Sequence, residues 1–131
     1  MARHADRVFA ADPALLDNCV LALPNVVHLQ TRAPEVLSSI SELAGLQGVD
    51  MLVSDMNMHP SDMMALIASV IPCLRQGGFL VLTLKFAGVG RNKDIWQERL
   101  MHGLGATFSF ARLVWLLANT GSERTFVAVV A

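Results

Sequence analysis

Charge of one sign is what this sequence lacks first. Ten basic residues stand against eleven acidic ones, for a formal net charge of −1. The broad positive field of a general nucleic-acid binder is therefore excluded, although a local basic patch remains open. Lysine is scarcer still, with Lys85 and Lys93 beside eight arginines. Cysteine occurs twice, at Cys19 and Cys73, each among apolar residues of an expected helix and with no second ligand at metal-binding spacing. Two buried free thiols, no metal and a reducing, intracellular setting are the expectation. No apolar run reaches the roughly 20 residues of a membrane span, and residues 1–6 carry no apolar signal core, which predicts a soluble chain in the cytoplasm or in an organellar stroma or matrix.

What is present is apolar residue in quantity. With 53% hydrophobic content in 131 residues, the chain can pack a core and is expected to form a single domain over residues 1–131. Its organising stretch is 48–60, a strand that ends in Asp55 and then in a polar turn containing Asn57, His59 and Pro60. In an open parallel sheet, ligands bind beyond the carboxyl ends of the strands, so Asp55 points to a site.

The remaining elements alternate around that strand. Residues 7–11 and 25–30 read as strands. Asp12-Pro13 opens a helix with the stripe Leu15, Leu16, Cys19 and Val20, and Pro34-Glu35 opens another with Val36, Leu37, Ile40, Leu43 and Ala44,. Ser61 and Asp62 begin a third, carrying Met63, Leu66, Ile67, Val70, Ile71 and Leu74. Gln76-Gly77-Gly78 then turns the chain into the apolar strand 79–85, suited to burial on both faces. Asn92 caps a fourth helix with Ile95, Trp96, Leu100, Met101 and Leu104. Residues 112–117 and 123–130 are strands joined by a turn at 119–122, hence antiparallel neighbours,. The fold class is α/β, a mostly parallel sheet with one antiparallel strand at the carboxyl-terminal end.

Three charged residues fall at strand ends: Asp55, Lys85 and Glu123. Because the last strand runs antiparallel, its beginning lies at the sheet edge where the parallel strands end, so all three can converge on one crevice. A partly desolvated lysine between carboxylates suits a group that orients a hydroxyl or takes its proton. Each residue also has a plain alternative: Lys85 can snorkel to a surface carboxylate, Asp55 can close an Asx turn, and Glu123 can sit on a solvated turn. Asp12 stands where an acidic residue meets ribose hydroxyls in nucleotide-binding sheets, or serves as a helix cap. Gly88, Gly90, Arg91 and Lys93 form a basic, glycine-containing segment that can touch phosphates or remain a solvated loop.

Three segments together, Val53-Ser54-Asp55-Met56, the run from Leu74 through Gly77-Gly78 to Lys85, and Ser122-Glu123-Arg124-Thr125, resemble the FtsJ-like, S-adenosylmethionine-dependent RNA ribose 2′-O-methyltransferases. The resemblance implies a Rossmann-like methyltransferase sheet and the cofactor S-adenosylmethionine. RNA, ribosomal RNA in particular, would be the substrate and partner. Asp55, Lys85 and Glu123 match the last three members of the family's Lys-Asp-Lys-Glu tetrad, as catalytic residues. Asp12, Gln30, Thr31 and Asp55 would contact the cofactor, Asp12 at its ribose and the segment 30–33 near its adenine.

The family's first strand, its glycine-rich loop and the first lysine of the tetrad have no counterpart before Arg7. An N-terminally truncated domain is the expectation, with the strands around Val8 and Val49 left with unpaired inner edges. Those edges would pair with each other, or with a strand from a second copy or a partner chain, or stay open. Two rival readings remain: a catalytically inactive remnant used for binding or assembly, and a small-molecule methyltransferase.

Overall fold

The computed structural model describes residues 2–32, 35, 36, 42, 45, 48–86 and 93–131. Two compact units divide the chain, Met1–Leu46 and Gln47–Ala131. Each carries its own sheet.

In the first unit, β1 (Val8–Ala11) pairs in parallel with β2 (Val26–Leu29), from Val8 opposite Val26 to Ala11 opposite Leu29. The helix expected from Asp12 onward is much shorter: α1 spans Asn18–Leu21. Asp12 turns its carboxylate onto the Ala14 N–H at 2.8 Å, an Asx turn, and Leu15 is exposed. Asp17 caps the helix, accepting from the Cys19 N–H at 2.8 Å. That hydrogen bond lowers the Asp17 pKa, and the same carboxylate raises that of the Cys19 thiol. Cys19 is exposed, contrary to expectation, because only one helical turn forms and no stripe is buried; Cys73 is buried as expected. Of the second expected helix, Glu35 and Val36 are helical and Val36 is buried. Leu37, Ile40, Leu43 and Ala44 lie outside the described residues.

The second unit is a four-stranded sheet in the order β3-β4-β6-β5. Strand β3 (Val49–Ser54) leads through α2 (Pro60–Val70) to β4 (Leu74–Lys85). Then α3 (Lys93–Leu104) leads to β5 (Phe108–Val114), and β6 (Glu123–Val130) inserts between β4 and β5, antiparallel to both. Among the described residues β1 pairs within the first sheet and β3 within the second.

Local chemistry moves several boundaries. His59, not Ser61, caps α2, with its ring nitrogen accepting from the Ser61 N–H, and Pro60 takes the first helical position,. Pro72 lacks an N–H and ends the helical run, so Ile71–Cys73 is a 3-10 turn and Leu74 already belongs to β4,. The expected turn at Gln76-Gly77-Gly78 is a bulge inside β4: Val49 pairs with Leu74 and Met51 with Phe79, so three extra residues are looped out,. Ile95 is half-exposed on α3 rather than on its buried stripe. Nothing is described of the Trp96, Leu100 and Leu104 side chains, and Asn92 lies outside the described residues. Strand β5 begins and ends earlier than expected, leaving Trp115, Leu116 and Leu117 in the loop, because the Asn119 side chain takes the Leu116 N–H at 2.8 Å.

The register sorts the sheet into two faces. Leu80, Leu82 and Leu84 of β4 share one face with Phe126 and Ala128 of β6, all buried. Met63, Leu66, Ile67 and Val70 of α2 are buried in the same unit, and α2 packs on β4. Phe108 meets Phe126 edge to face, with 5.8 Å between centroids,. The other face carries Met51, Phe79, Val129 and Phe110 in one row across the strands and Val53, Val81, Val127 and Arg112 in the next. Met51, Val53, Phe79 and Phe110 are each between 44% and 48% exposed.

Gly48, just before β3, has no room for a side chain. It adopts φ +70°, and a Cβ there would stand 2.8 Å from the Cys73 carbonyl oxygen and 3.0 Å from the Arg75 nitrogen. Gly48→Ala should therefore cost about 2 kcal/mol or more and lower the melting midpoint by about 5 °C or more. Gly121→Ala, with open space around the added atom, should stay within about 0.5 kcal/mol of the parent in the same calorimetric scan.

Candidate active site at the carboxyl ends of the strands

Lys85 is the last residue of β4, and its in-register partner is Glu123, the first residue of β6. Cross-strand partners of an antiparallel pair point to the same face. Both therefore share the face that carries Phe79, Val81, Val127 and Val129 further along. Asp55 follows directly on β3 and meets the lysine, with 3.5 Å between Lys85 Nζ and Asp55 Oδ1. The sheet thus brings together the three residues that the sequence placed at strand ends.

Their environments differ. The Lys85 side chain is 23% exposed and that of Asp55 72%. Water screens such a pair, and its value lies in aiming the ammonium more than in stability. An ammonium has three donor protons. With one directed to Asp55, others remain for an incoming hydroxyl.

Glu123 has a second attachment. Its Oε2 accepts the Thr120 N–H at 2.8 Å, and its own N–H donates to the Thr120 carbonyl at 3.1 Å. The Phe86 N–H, one residue beyond Lys85, donates to the Ser122 carbonyl at 2.8 Å. Behind it, the buried Thr125 donates its hydroxyl to Asn119 Oδ1 at 3.1 Å. The loop 115–122 is thereby tied to the end of β4 and to Glu123. Its turn residues were legible in the sequence, but these ties require the register. Asn57 is exposed and Met56 donates its N–H to Ser54 Oγ at 3.4 Å; residues 56–58 are a short irregular link between Asp55 and the His59 cap.

In the first unit, Asp12, Gln30 and Thr31 follow the carboxyl ends of β1 and β2. His28 Nε2 lies 3.1 Å from the Asp12 carbonyl oxygen, and Gln30 Nε2 donates to the Pro13 carbonyl at 3.5 Å. Thr31 donates its hydroxyl to Glu35 Oε2. His28 thereby braces the turn that presents Asp12. Ala33, Gly88, Gly90 and Arg91 lie outside the described residues, and nothing is described of the Lys93 side chain. Among the described residues no three His, Cys, Asp or Glu side chains cluster closely enough to hold a metal ion. No helix among them is long and apolar enough to cross a membrane.

Neither a protein-family model nor a curated protein sequence matches the chain. Solved structures do match. The fibrillarin pre-rRNA processing protein of Methanococcus jannaschii superposes with a TM-score of 0.74 at 17% identity, covering 95% of this chain and 56% of its own. An rRNA methylase of Streptococcus thermophilus gives 0.61 at 15% identity, covering 98% of this chain and 75% of its own. A Streptococcus mutans protein assigned as a methyltransferase and solved in complex with SAH gives 0.59 at 13% identity, covering 99% and 75%. The chain spans little more than half the length of the fibrillarin. What these likenesses establish is the fold: a mixed α/β, Rossmann-like sheet such as these methyltransferase structures have.

Proposed function

We propose that the chain is an S-adenosylmethionine-dependent RNA methyltransferase domain acting on a ribose 2′-hydroxyl, ribosomal RNA being the substrate. The observation that carries this reading is Lys85 at the end of β4, opposite Glu123 in register and 3.5 Å from Asp55. The fibrillarin and rRNA methylase likenesses support it, as does the neighbour solved with SAH. A cytoplasmic site of action fits an RNA substrate.

The residues of the first unit fit the adenosine end of the cofactor. Asp12 spends one carboxylate oxygen on its Asx turn and is exposed, which suits the paired hydroxyls of a ribose,. Gln30 is exposed beside it, and Thr31 brings a hydroxyl. S-adenosylmethionine supplies, when bound, a methyl carbon on a positively charged sulfur. Lys85 would hold the 2′-hydroxyl in line with that carbon; as the O–C bond forms the C–S bond would break, the sulfur leaving as a neutral thioether and the hydroxyl proton going to the amine form of Lys85 or to water. Asp55 and Glu123 would hold the lysine in place. Because the methyl donor is intrinsically reactive, positioning supplies much of the rate.

A second reading has its own observation. Among the described residues strand β3 has one edge unpaired in its sheet, and Met51 and Val53 on it are half-exposed on the face that also carries Phe79. A catalytically inactive binding or assembly module would use that edge, paired with a second copy or with a strand from a partner chain.

Three measurements separate these readings. S-adenosylmethionine at about a hundred times its dissociation constant should stabilise the fold by about 2.7 kcal/mol and raise the melting midpoint by several degrees; an unchanged midpoint speaks for the assembly module. In a tritiated-methyl transfer assay on ribosomal RNA, Lys85→Ala and Lys85→Arg should each lower turnover by about a hundredfold or more, since arginine carries charge but cannot take a proton. Unchanged turnover removes Lys85 from the chemistry. If the β3 edge pairs with a second copy, sedimentation should show a dimer that Val53→Lys returns to monomer.

A further inference from the structure

Thr125 is a polar side chain buried in β6, only 3% exposed. Valine packs as well at a strand position, and a buried hydroxyl gains nothing unless it finds a partner. Thr125 finds one outside the sheet, donating to Asn119 Oδ1 at 3.1 Å. The same oxygen accepts the Leu116 N–H at 2.8 Å, and the Asn119 N–H returns to the Leu116 carbonyl at 2.9 Å. One amide oxygen therefore closes the turn 116–119 and hooks it to β6.

The hook stands one row before the charged pair. Thr125 lies opposite Thr83 in the β4–β6 ladder; Glu123 lies opposite Lys85, two residues nearer the sheet edge on each strand and so on the same face,. Thr120, the residue after Asn119, donates its N–H to Glu123 Oε2 at 2.8 Å and accepts the Glu123 N–H at 3.1 Å. The carboxylate is thus seated on a backbone donor whose place Asn119 fixes. What lies across the ladder makes that seat matter. A glutamate opposite a lysine and free to move would close on the ammonium and take a donor proton that an incoming hydroxyl needs. In the seated arrangement Lys85 pairs with Asp55, at 3.5 Å.

Resting on the RNA methyltransferase reading, we infer that Asn119 is a positioning residue for the methyl-transfer site. Hooked by the buried Thr125 hydroxyl, it presents the Thr120 N–H that seats Glu123, and so keeps a donor of Lys85 open for the substrate hydroxyl. Asn119 Oδ1 acts in both contacts as an acceptor. Aspartate keeps that acceptor and alanine removes it.

The test compares the full chain with Asn119→Ala, Asn119→Asp and Thr125→Val, each alone and combined with Glu123→Ala. Methyl transfer to ribosomal RNA gives kcat and KM. Threonine-selective amide spectra report the Thr120 N–H, whose proton shift follows protonation of the carboxylate it meets; Glu123→Ala identifies that response by abolishing it. Asn119→Ala should lower kcat about tenfold with KM within about twofold, and the Thr120 amide should lose its pH response; Asn119→Asp should keep both near parental. In the Glu123→Ala background Asn119→Ala should change kcat by less than about twofold, because the carboxylate it seats is gone. Thr125→Val, whose apolar side chain suits the buried place, should lower kcat at a parental melting midpoint, which a merely structural hydroxyl would not do. An equal loss from Asn119→Ala in both backgrounds, or a Thr120 amide that keeps its response in Asn119→Ala, overturns the positioning role and leaves the methyltransferase reading standing. No transfer to RNA by the parent overturns both, even where the spectra show Asn119 seating the carboxylate.

Discussion

Strand β4 is hydrogen-bonded along both edges, parallel to β3 and antiparallel to β6, and the second unit takes its geometry from that double pairing. Pairing on both sides fixes the pleat, and the pleat decides which way each residue faces. Leu80, Leu82 and Leu84 go to the helix side with Phe126, where full burial of such side chains gains about 1.5–3 kcal/mol apiece,. A slip of one residue would turn all of them to solvent, so burial holds the register. The same register brings Lys85 opposite Glu123. The core therefore sets the site: the residues that give stability lie on one face, and their alternation delivers the charged pair at the end of the other.

Within the site, rigidity and charge come from different places. The Lys85–Asp55 pair has one well-solvated member, so its electrostatic contribution is screened,. Glu123 gains order from the backbone instead, through Thr120 and through the Phe86–Ser122 hydrogen bond that joins the two strand ends. In the first unit the same division recurs: Asp12 is shaped by its own Asx turn and braced by His28, while its carboxylate stays at the surface.

Much of this was legible in the sequence because it rests on short-range pattern. The run 79–85 is a strand as expected, although only its Leu80, Leu82 and Leu84 face is buried where both were expected and Phe79 is 45% exposed; β6 matches its expected bounds, and three charges at strand ends follow from knowing where strands stop. What was not legible depends on competition between local groups or on pairing. The helix after Asp12 reduces to one turn because Asp12 and Asp17 both offer capping carboxylates and the later one starts the helix. The stripe that should have buried Cys19 then never forms. Pro72 was visible, but apolar spacing through Leu74 masked its effect on the helix. The three looped-out residues of β4 and the insertion of β6 between β4 and β5 are matters of register, which a hydrophobic pattern does not carry.

That insertion has a consequence for how the unit is made. The strand that joins β4 to β5 is synthesised after both of them, so while the ribosome works through β5 the sheet exists in pieces, with β4 lacking a neighbour on one side. A nascent fragment that stops short of Glu123 can pair Lys85 with Asp55 but lacks the carboxylate opposite it in register, and none that stops short of Val130 can complete the ladder. The order of translation therefore makes closure of the sheet and completion of the charged cluster a single late event, and β4 is the segment that chaperones would need to shield until it happens.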